Sequence, residues 1–356
     1  MRSAIDSSKI GKVLLHRSCD RSKHTCSKTM LRIAQKLAWL YVLVALWTIS
    51  SRASAAVPLA EFPIGYSSNG GTYGFIGLIQ QQHLLEQQGI RPQFVYIGGP
   101  QITQAFIAGD IQMMVVAAAS PIRAAAQGAE VKFVGGVMDK EVLTLITNPA
   151  IRSAADMKGA KLAIDRLGDY TDFLARAVLA KLNLTPDKDV SLIQIGSQTS
   201  RFAALKSGVV QSTFVAPPLT LLAKQAGLNL LVDLATLGIP SSAASFVVLR
   251  GTQQRHGNDV YKVLSAMGKG LRLYKSNKEA AIKGLAQFMQ LKDPAALEET
   301  WRVHAPLYKD VPSPAVEGVR VVKDFLGKSD PNIAKLGLNN LIDAQYVSEL
   351  EKEIEK

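Results

Sequence analysis

The chain has 356 residues, 47% apolar and 20% charged, with 27 Gly and 15 Pro. That balance excludes collagenous, coiled-coil and disordered chains and supplies apolar material for one large core or two modest ones. A formal charge of +12 suggests a polyanionic partner only if it is spread over a folded surface, and it is not: ten Lys/Arg against two acids fall within residues 1–55, leaving 31 bases and 27 acids beyond them. That remainder is an ordinary surface with no nucleic-acid signature.

The basic leader has its own explanation. Arg32 and Lys36 precede an apolar run, Leu37 to Ile49, followed by Ala53-Ser54-Ala55. The run is shorter than the ~20 residues that cross a bilayer but fits the ~7–15 of a secretory core, and small residues stand where a peptidase reads them. Residues 1–55 are therefore expected to be a signal peptide with an extended basic n-region, cleaved after Ala55, and the protein to reside in a bacterial periplasm. Met30 would itself open a signal of ordinary length and is a second candidate start beside Met1. Both cysteines, Cys19 and Cys26, lie in this leader. The rest of the chain thus has no thiol for a disulfide, a nucleophile, a metal ligand or a lipid.

From Pro63 onward short β-branched runs alternate with helical patterns. They predict strand Pro63–Tyr66, helix Tyr73–Gln88, strand Gln93–Ile97, helix Gln101–Ala108, strand Ile111–Val116, helix Pro121–Gln127 and strand Lys132–Val137. This alternation gives βαβ units and a mainly parallel sheet covered on both faces, an α/β fold. Ala105–Ala117 (AFIAGDIQMMVVA) nearly repeats as Ala204–Ala216 (ALKSGVVQSTFVA) at an offset of 99, and Gly71-Thr72-Tyr73-Gly74-Phe75 is echoed by Gly168-Asp169-Tyr170-Thr171-Asp172-Phe173. Two copies are too few for a solenoid, so two similar α/β lobes are expected. Val142–Pro149 reads as a strand crossing between them and Ser245–Gly251 as one returning. Lobe one is then residues 57–148 plus 245–356, and lobe two residues 149–244. Beyond Gly251 amphipathic helices over Val260–Tyr274, Lys278–Gln290, Ala295–His304 and Pro314–Leu326 should pack back on lobe one.

In open α/β sheets ligands sit beyond the carboxyl ends of the strands. The first such rim holds Ser68, Asn69 and Thr72 in a Gly-rich turn whose free N–H groups can donate. The second holds Ser120, a good N-cap with Pro121 at the first helical position. In lobe two, strand Lys161–Ile164 leads into Gly168, Asp169, Tyr170, Thr171 and Asp172, with Thr171 placed to cap a helix running to Lys181, and Pro217 follows the last lobe-two strand. Asp169 and Asp172 put negative charge at that helix start, which favours a ligand with a neutral or cationic donor over a small inorganic anion. Catalytic signatures are missing: beyond the leader, His83, His256 and His304 fall in or beside helical segments, and no H-E-x-x-H, G-x-S-x-G, Walker or dinucleotide pattern occurs. No catalytic residue, metal or cofactor is expected.

The order and spacing of several fragments resemble the exported substrate-binding proteins of ABC importers, in the nitrate/sulfonate/taurine-type family that also takes in thiamin-pyrimidine binders. These fragments are Ile64-Gly65-Tyr66, Gln88-Gly89-Ile90, Ala105-x-x-x-Gly109-Asp110-Ile111, Ala126-Gln127-Gly128, Ile151–Lys161 (IRSAADMKGAK) and Ala204-Leu-Lys-Ser-Gly208-Val209. The resemblance, over residues 62–350, implies two α/β lobes joined by two strands in a periplasmic-binding-protein-like (type II-like) fold that closes on a small solute. It also implies a monomer delivering that solute to a membrane permease and its ATPase, with Ser68, Asn69, Ser120, Thr171 and Pro217 as solute contacts. Gln112 and Gln211 depart from the acid usual at these positions. An enzyme on the same scaffold, dehydratase-like and without thiol chemistry, is the rival reading.

Overall fold

The computed structural model describes residues 59–354. The leader, its cysteines, Met30 and the cleavage site at Ala55 lie outside the described residues. Ten strands form two five-stranded mixed sheets. The first contains β1 (Ala60–Tyr66), β2 (Ile90–Tyr96), β3 (Met113–Val116), β4 (Val131–Gly136) and β10 (Ser245–Leu249), in the order β2-β1-β3-β10-β4. The second contains β5 (Thr144–Thr147), β6 (Lys161–Ile164), β7 (Ser191–Gln194), β8 (Ser212–Val215) and β9 (Asn229–Asp233), in the order β7-β6-β8-β5-β9. Each sheet has a parallel trio and then one antiparallel strand in fourth place, β10 or β5, which crosses over from the other lobe's part of the chain. The sequence read Val142–Pro149 as a crossing strand; its ordered part, Thr144–Thr147, is hydrogen-bonded within the second sheet.

The near-repeat has a structural counterpart. Helix α2 (Gln101–Ala108) ends at Gly109 and helix α5 (Gln198–Lys206) runs out at Ser207-Gly208, each glycine in the left-handed region, before β3 and β8 begin. Gln112 N donates to the Pro63 carbonyl at 2.8 Å and Gln211 N to the Lys161 carbonyl at 3.0 Å, so the two glutamines start equivalent strands. Pleat alternation sorts the first sheet between two cores. Phe62, Ile64, Met113 and Phe246 face Leu264, Met267, Leu271 and Tyr274 of α7 (Arg250–Ser276) and Leu285 of α8 (Lys278–Met289). Met114, Val116 and Val247 join a second core that continues into lobe two through Leu162, Ile164, Leu174 and Phe214.

Two local readings need correction. The helix expected over Tyr73–Gln88 breaks into a 3-10 turn at Gly71–Tyr73, α1 (Phe75–Gln81), and a reversal at His83 with φ 51°. The apolar face of Phe75, Ile76, Leu78 and Ile79 would continue onto the polar Gln82, His83 and Glu86, so the chain turns and buries Leu84 and Leu85 instead. Ser120 is not an N-cap: α3 (Ala119–Ala126) starts from Ala118, whose backbone is already helical, which places Ser120 in the first turn. Pro121 is tolerated there because first-turn amides have no intrahelical acceptor.

Residues 137–143 and 234–244 connect the sheets and pair with each other, Ser241 N donating to the Asp139 carbonyl at 2.9 Å beside a Lys140–Pro240 bridge. The sequence assigned the C-terminal helices to lobe one, yet α10 (Val316–Gly327) packs on both lobes: Val319, Val322 and Leu326 enter the shared core and Phe325 meets Phe173 edge-on at 5.4 Å. Gly318 of that helix lies against Ser241 so closely that a Cβ would overlap the Ser241 carbonyl oxygen. Gly318→Ala should therefore destabilise the chain by ~1–3 kcal/mol, as overpacking does. Denaturant unfolding with an unchanged midpoint would contradict this close approach.

Candidate functional site

The lobe-one rim begins where β1 ends. Ser68 Oγ accepts from Gly70 N at 3.1 Å and closes a turn, while Asn69 is exposed. Gly71 is enclosed: a Cβ there would stand 2.6 Å from Thr300 Cγ2, 2.7 Å from His304 Cε1 and 3.1 Å from the Pro217 carbonyl of lobe two. The rim is held from behind by the C-terminal helices. The Tyr308 hydroxyl is shared between the Gly71 and Thr72 carbonyls at 3.1 and 3.0 Å. Thr72 Oγ1 lies 3.4 Å from His304 Nε2, and His304 Nδ1 donates to the Thr300 carbonyl at 2.8 Å, leaving Nε2 to accept from Thr72. His304 lies beyond the rim in sequence, on α9 (Pro294–His304), and reaches it only through the fold.

On lobe two, helix α4 (Tyr170–Lys181) is capped by Asp169, which accepts from Tyr170 N at 3.0 Å, and not by Thr171. Thr171 Oγ1 accepts from Asp165 N at 2.9 Å and donates to Asp165 Oδ1 at 2.7 Å. Burial pushes the Asp165 carboxyl above its usual range. Asp169 pairs with Arg166 at 2.7 Å, and the buried Asp172 accepts from Gly168 N at 2.7 Å and pairs with Arg176 at 2.9 Å. Both acids are thus matched inside the protein, which removes the electrostatic reason for disfavouring an anion. Tyr170 is 6% exposed and its hydroxyl donates to Glu141 Oε2 at 2.7 Å.

A cavity of about 410 Å³ lies where α2 and α3 of lobe one face the loop Arg166–Gly168 of lobe two. Gln104, Ser120, Arg123, Gln127, Arg166 and Leu167 are among its walls. Arg123 Nη2 donates to the Gly168 carbonyl at 2.5 Å across the lobes, and among the described residues Arg123 has no ion-pair partner. Ile107 and Leu167, about half exposed, supply an apolar edge. An unmatched guanidinium beside amides, a hydroxyl and an apolar edge can hold a small organic anion.

Of the residues read from the sequence, Ser120 and Gly168 line this cavity. Ser68, Asn69 and Thr72 lie in the turn around Gly71, which Pro217 meets through its carbonyl, and none of these four is among the cavity walls, while Asp169, Tyr170, Thr171 and Asp172 are bonded within the protein. Arg123, Arg166 and Gln104 went unread, although Ser120, Arg123 and Gln127 share one helix face by their i, i+3, i+7 spacing. Among the described residues no group of three or more His, Cys, Asp or Glu converges to hold a metal.

Residues 86–281 match the family model described as NMT1/THI5 like. The chain belongs to this family. A protein of Escherichia coli (strain K12) whose name records aliphatic sulfonate binding is 28% identical over 273 residues, 74% of this chain and 82% of that protein. Among solved structures, the alkanesulfonate-binding protein SsuA from Xanthomonas axonopodis pv. citri, bound to MOPS, is 24% identical with a TM-score of 0.64, covering 83% of this chain and 99% of SsuA. The desulfurization enzyme DSZB is 15% identical with a TM-score of 0.62, covering 82% and 99%. The NMT1/THI5-like chain thus has the periplasmic-binding-protein fold of two α/β lobes.

The buried imidazole behind the rim yields a pH prediction. Burial lowers the His304 pKa to about 4 from 6.5, so the unfolded chain takes up the proton first and stability falls as pH drops from about 6.5 towards 4. Between pH 7 and 4 the wild type should lose on the order of 3 kcal/mol more than His304→Gln, measured by denaturant unfolding. Equal losses would contradict a neutral, buried His304.

Proposed function

We propose that this protein is an exported solute-binding component of an ABC-type importer, working as a monomer in the periplasm after removal of residues 1–55. It captures a small organic anion between its lobes and hands it to a membrane permease driven by an ATPase. The lobes hinge at residues 137–143 and 234–244. The observation that carries this reading is the interlobe cavity with the Arg123 guanidinium free of any acidic partner among the described residues. Relatives named for sulfonate binding support an alkanesulfonate or a similar monoanion. Solute touching Arg123 and Ser120 on one side and the Arg166–Gly168 loop on the other stabilises the closed arrangement because only that arrangement offers both sets of contacts. Micromolar capture needs about −8 kcal/mol, within reach of a few charge-assisted hydrogen bonds and one apolar contact.

Binding without turnover is favoured over catalysis by composition. The two cysteines of the chain are both in the leader, and the one fully buried histidine among the described residues, His304, is bonded to Thr300 and Thr72 behind the rim. Titration calorimetry with short alkanesulfonates, followed by mass spectrometry of the recovered solute, tests the reading: micromolar binding and unaltered solute are expected. Arg123→Gln should raise Kd about 10- to 100-fold, the worth of a hydrogen bond to a charged group. Consumption of the solute, or an Arg123→Gln chain that binds as tightly as the wild type, would overturn it.

A further inference from the structure

The internal echo between Gly71-Thr72-Tyr73 and Gly168-Asp169-Tyr170 places one buried tyrosine from each lobe on the connecting segments. Tyr73 OH donates to the Ala243 carbonyl at 2.9 Å, and Tyr170 OH donates to Glu141 Oε2 at 2.7 Å. Glu141 is 1% exposed and has no cationic partner among the described residues. Its four donors come from three stretches of chain. Val142 N and Leu143 N reach Oε1 at 2.9 and 3.3 Å, while Tyr170 OH at 2.7 Å and Ser241 Oγ at 3.4 Å reach Oε2. A buried carboxylate of this kind is tolerable only while its donors are in place.

These donors also straddle the lobes. Glu141 leads directly into β5, and Tyr170 opens α4, both on the lobe-two side. Ser242, and with it the adjacent Ser241, is tied to lobe one, since the Ser242 carbonyl accepts from Ala118 N at 3.2 Å. Tyr170 OH bridges the two sides, lying 3.3 Å from Ser241 Oγ and accepting from Ser242 N at 3.3 Å.

We propose that Tyr170 is a positioning residue whose hydroxyl locks Glu141 to Ser241–Ser242 when the lobes close, so that it strengthens solute binding without touching the solute. This rests on the solute-binding reading above. Separation of the lobes would withdraw Ser241 and Ser242 from the tyrosine and leave the Glu141–Tyr170 pair short of partners. The closed arrangement therefore gains stability from a contact 'behind' the cavity.

The test uses Tyr170→Phe in the full chain, which removes one oxygen and keeps the ring packed beside Phe173. With short alkanesulfonates, Kd should rise about 10-fold, chiefly through faster dissociation, as loss of one buried hydrogen bond implies. Glu141→Leu combined with Tyr170→Phe should cost no more than the larger single change, since both break one network. Unchanged Kd and dissociation rate in Tyr170→Phe would overturn the proposal and leave the hydroxyl a purely structural group. A second readout needs no solute: amide hydrogen exchange at Val142 and Ser242 should quicken about 10-fold in Tyr170→Phe. If the wild type binds none of the sulfonates, the solute reading fails by itself, and unchanged exchange at these two amides overturns the joint independently.

Discussion

A carboxylate, Glu141, buried without a counter-ion among the described residues, organises the middle of this protein. Burial pushes the Glu141 pKa upward even though four donors oppose that shift, and those donors can gather only if both connecting segments and the start of α4 occupy fixed places. Both connecting segments and the start of α4 meet there. The segments pair through Ser241 and Asp139, Lys309 pins Asp139 at 2.6 Å, and α10 presses Gly318 against Ser241. The polar joint is flanked by an apolar one, Phe173 on Phe325. Hydrogen bonds give the joint its direction, and the aromatic contact gives it area.

From this joint outward the molecule follows a duplicated plan. Each sheet receives one antiparallel strand by way of the connecting segments, so neither sheet is completed by its own lobe's parallel strands alone. The rims differ in what supports them. The lobe-one rim leans on His304 and Tyr308 of the C-terminal helices, whereas the lobe-two rim is self-supporting, through Asp165, Asp169 and Asp172 bonded to their own loop and helix. This asymmetry leaves the cavity with Arg123 as the cation whose charge is not already matched among the described residues.

Much of the fold was legible in the sequence because periodicity and punctuation carry it. The alternation of short apolar runs with helical stretches, and the Gly109/Gly208 repeat, report βαβ units directly. The α/β class follows from local chemistry alone. The site was less legible. Asp169 and Asp172 read as a repulsive pair because nothing local says that Arg166 and Arg176 neutralise them. Tyr170 read as a solute contact because its partner, Glu141, is 29 residues away in sequence. Ser120 read as a cap because Ser before Pro is a good cap, yet the small Ala118 and Ala119 let the helix begin earlier. His304 was invisible as a rim support, since only tertiary packing brings it to Thr72.

The most direct measurement is a crystal structure of the full chain with a bound alkanesulfonate. The account predicts the sulfonate oxygens about 3 Å from the Arg123 guanidinium, with the Tyr170 hydroxyl still on Glu141. A sulfonate seated instead on Thr171 and Pro217, with Tyr170 swung away from Glu141 to meet it, would contradict the account.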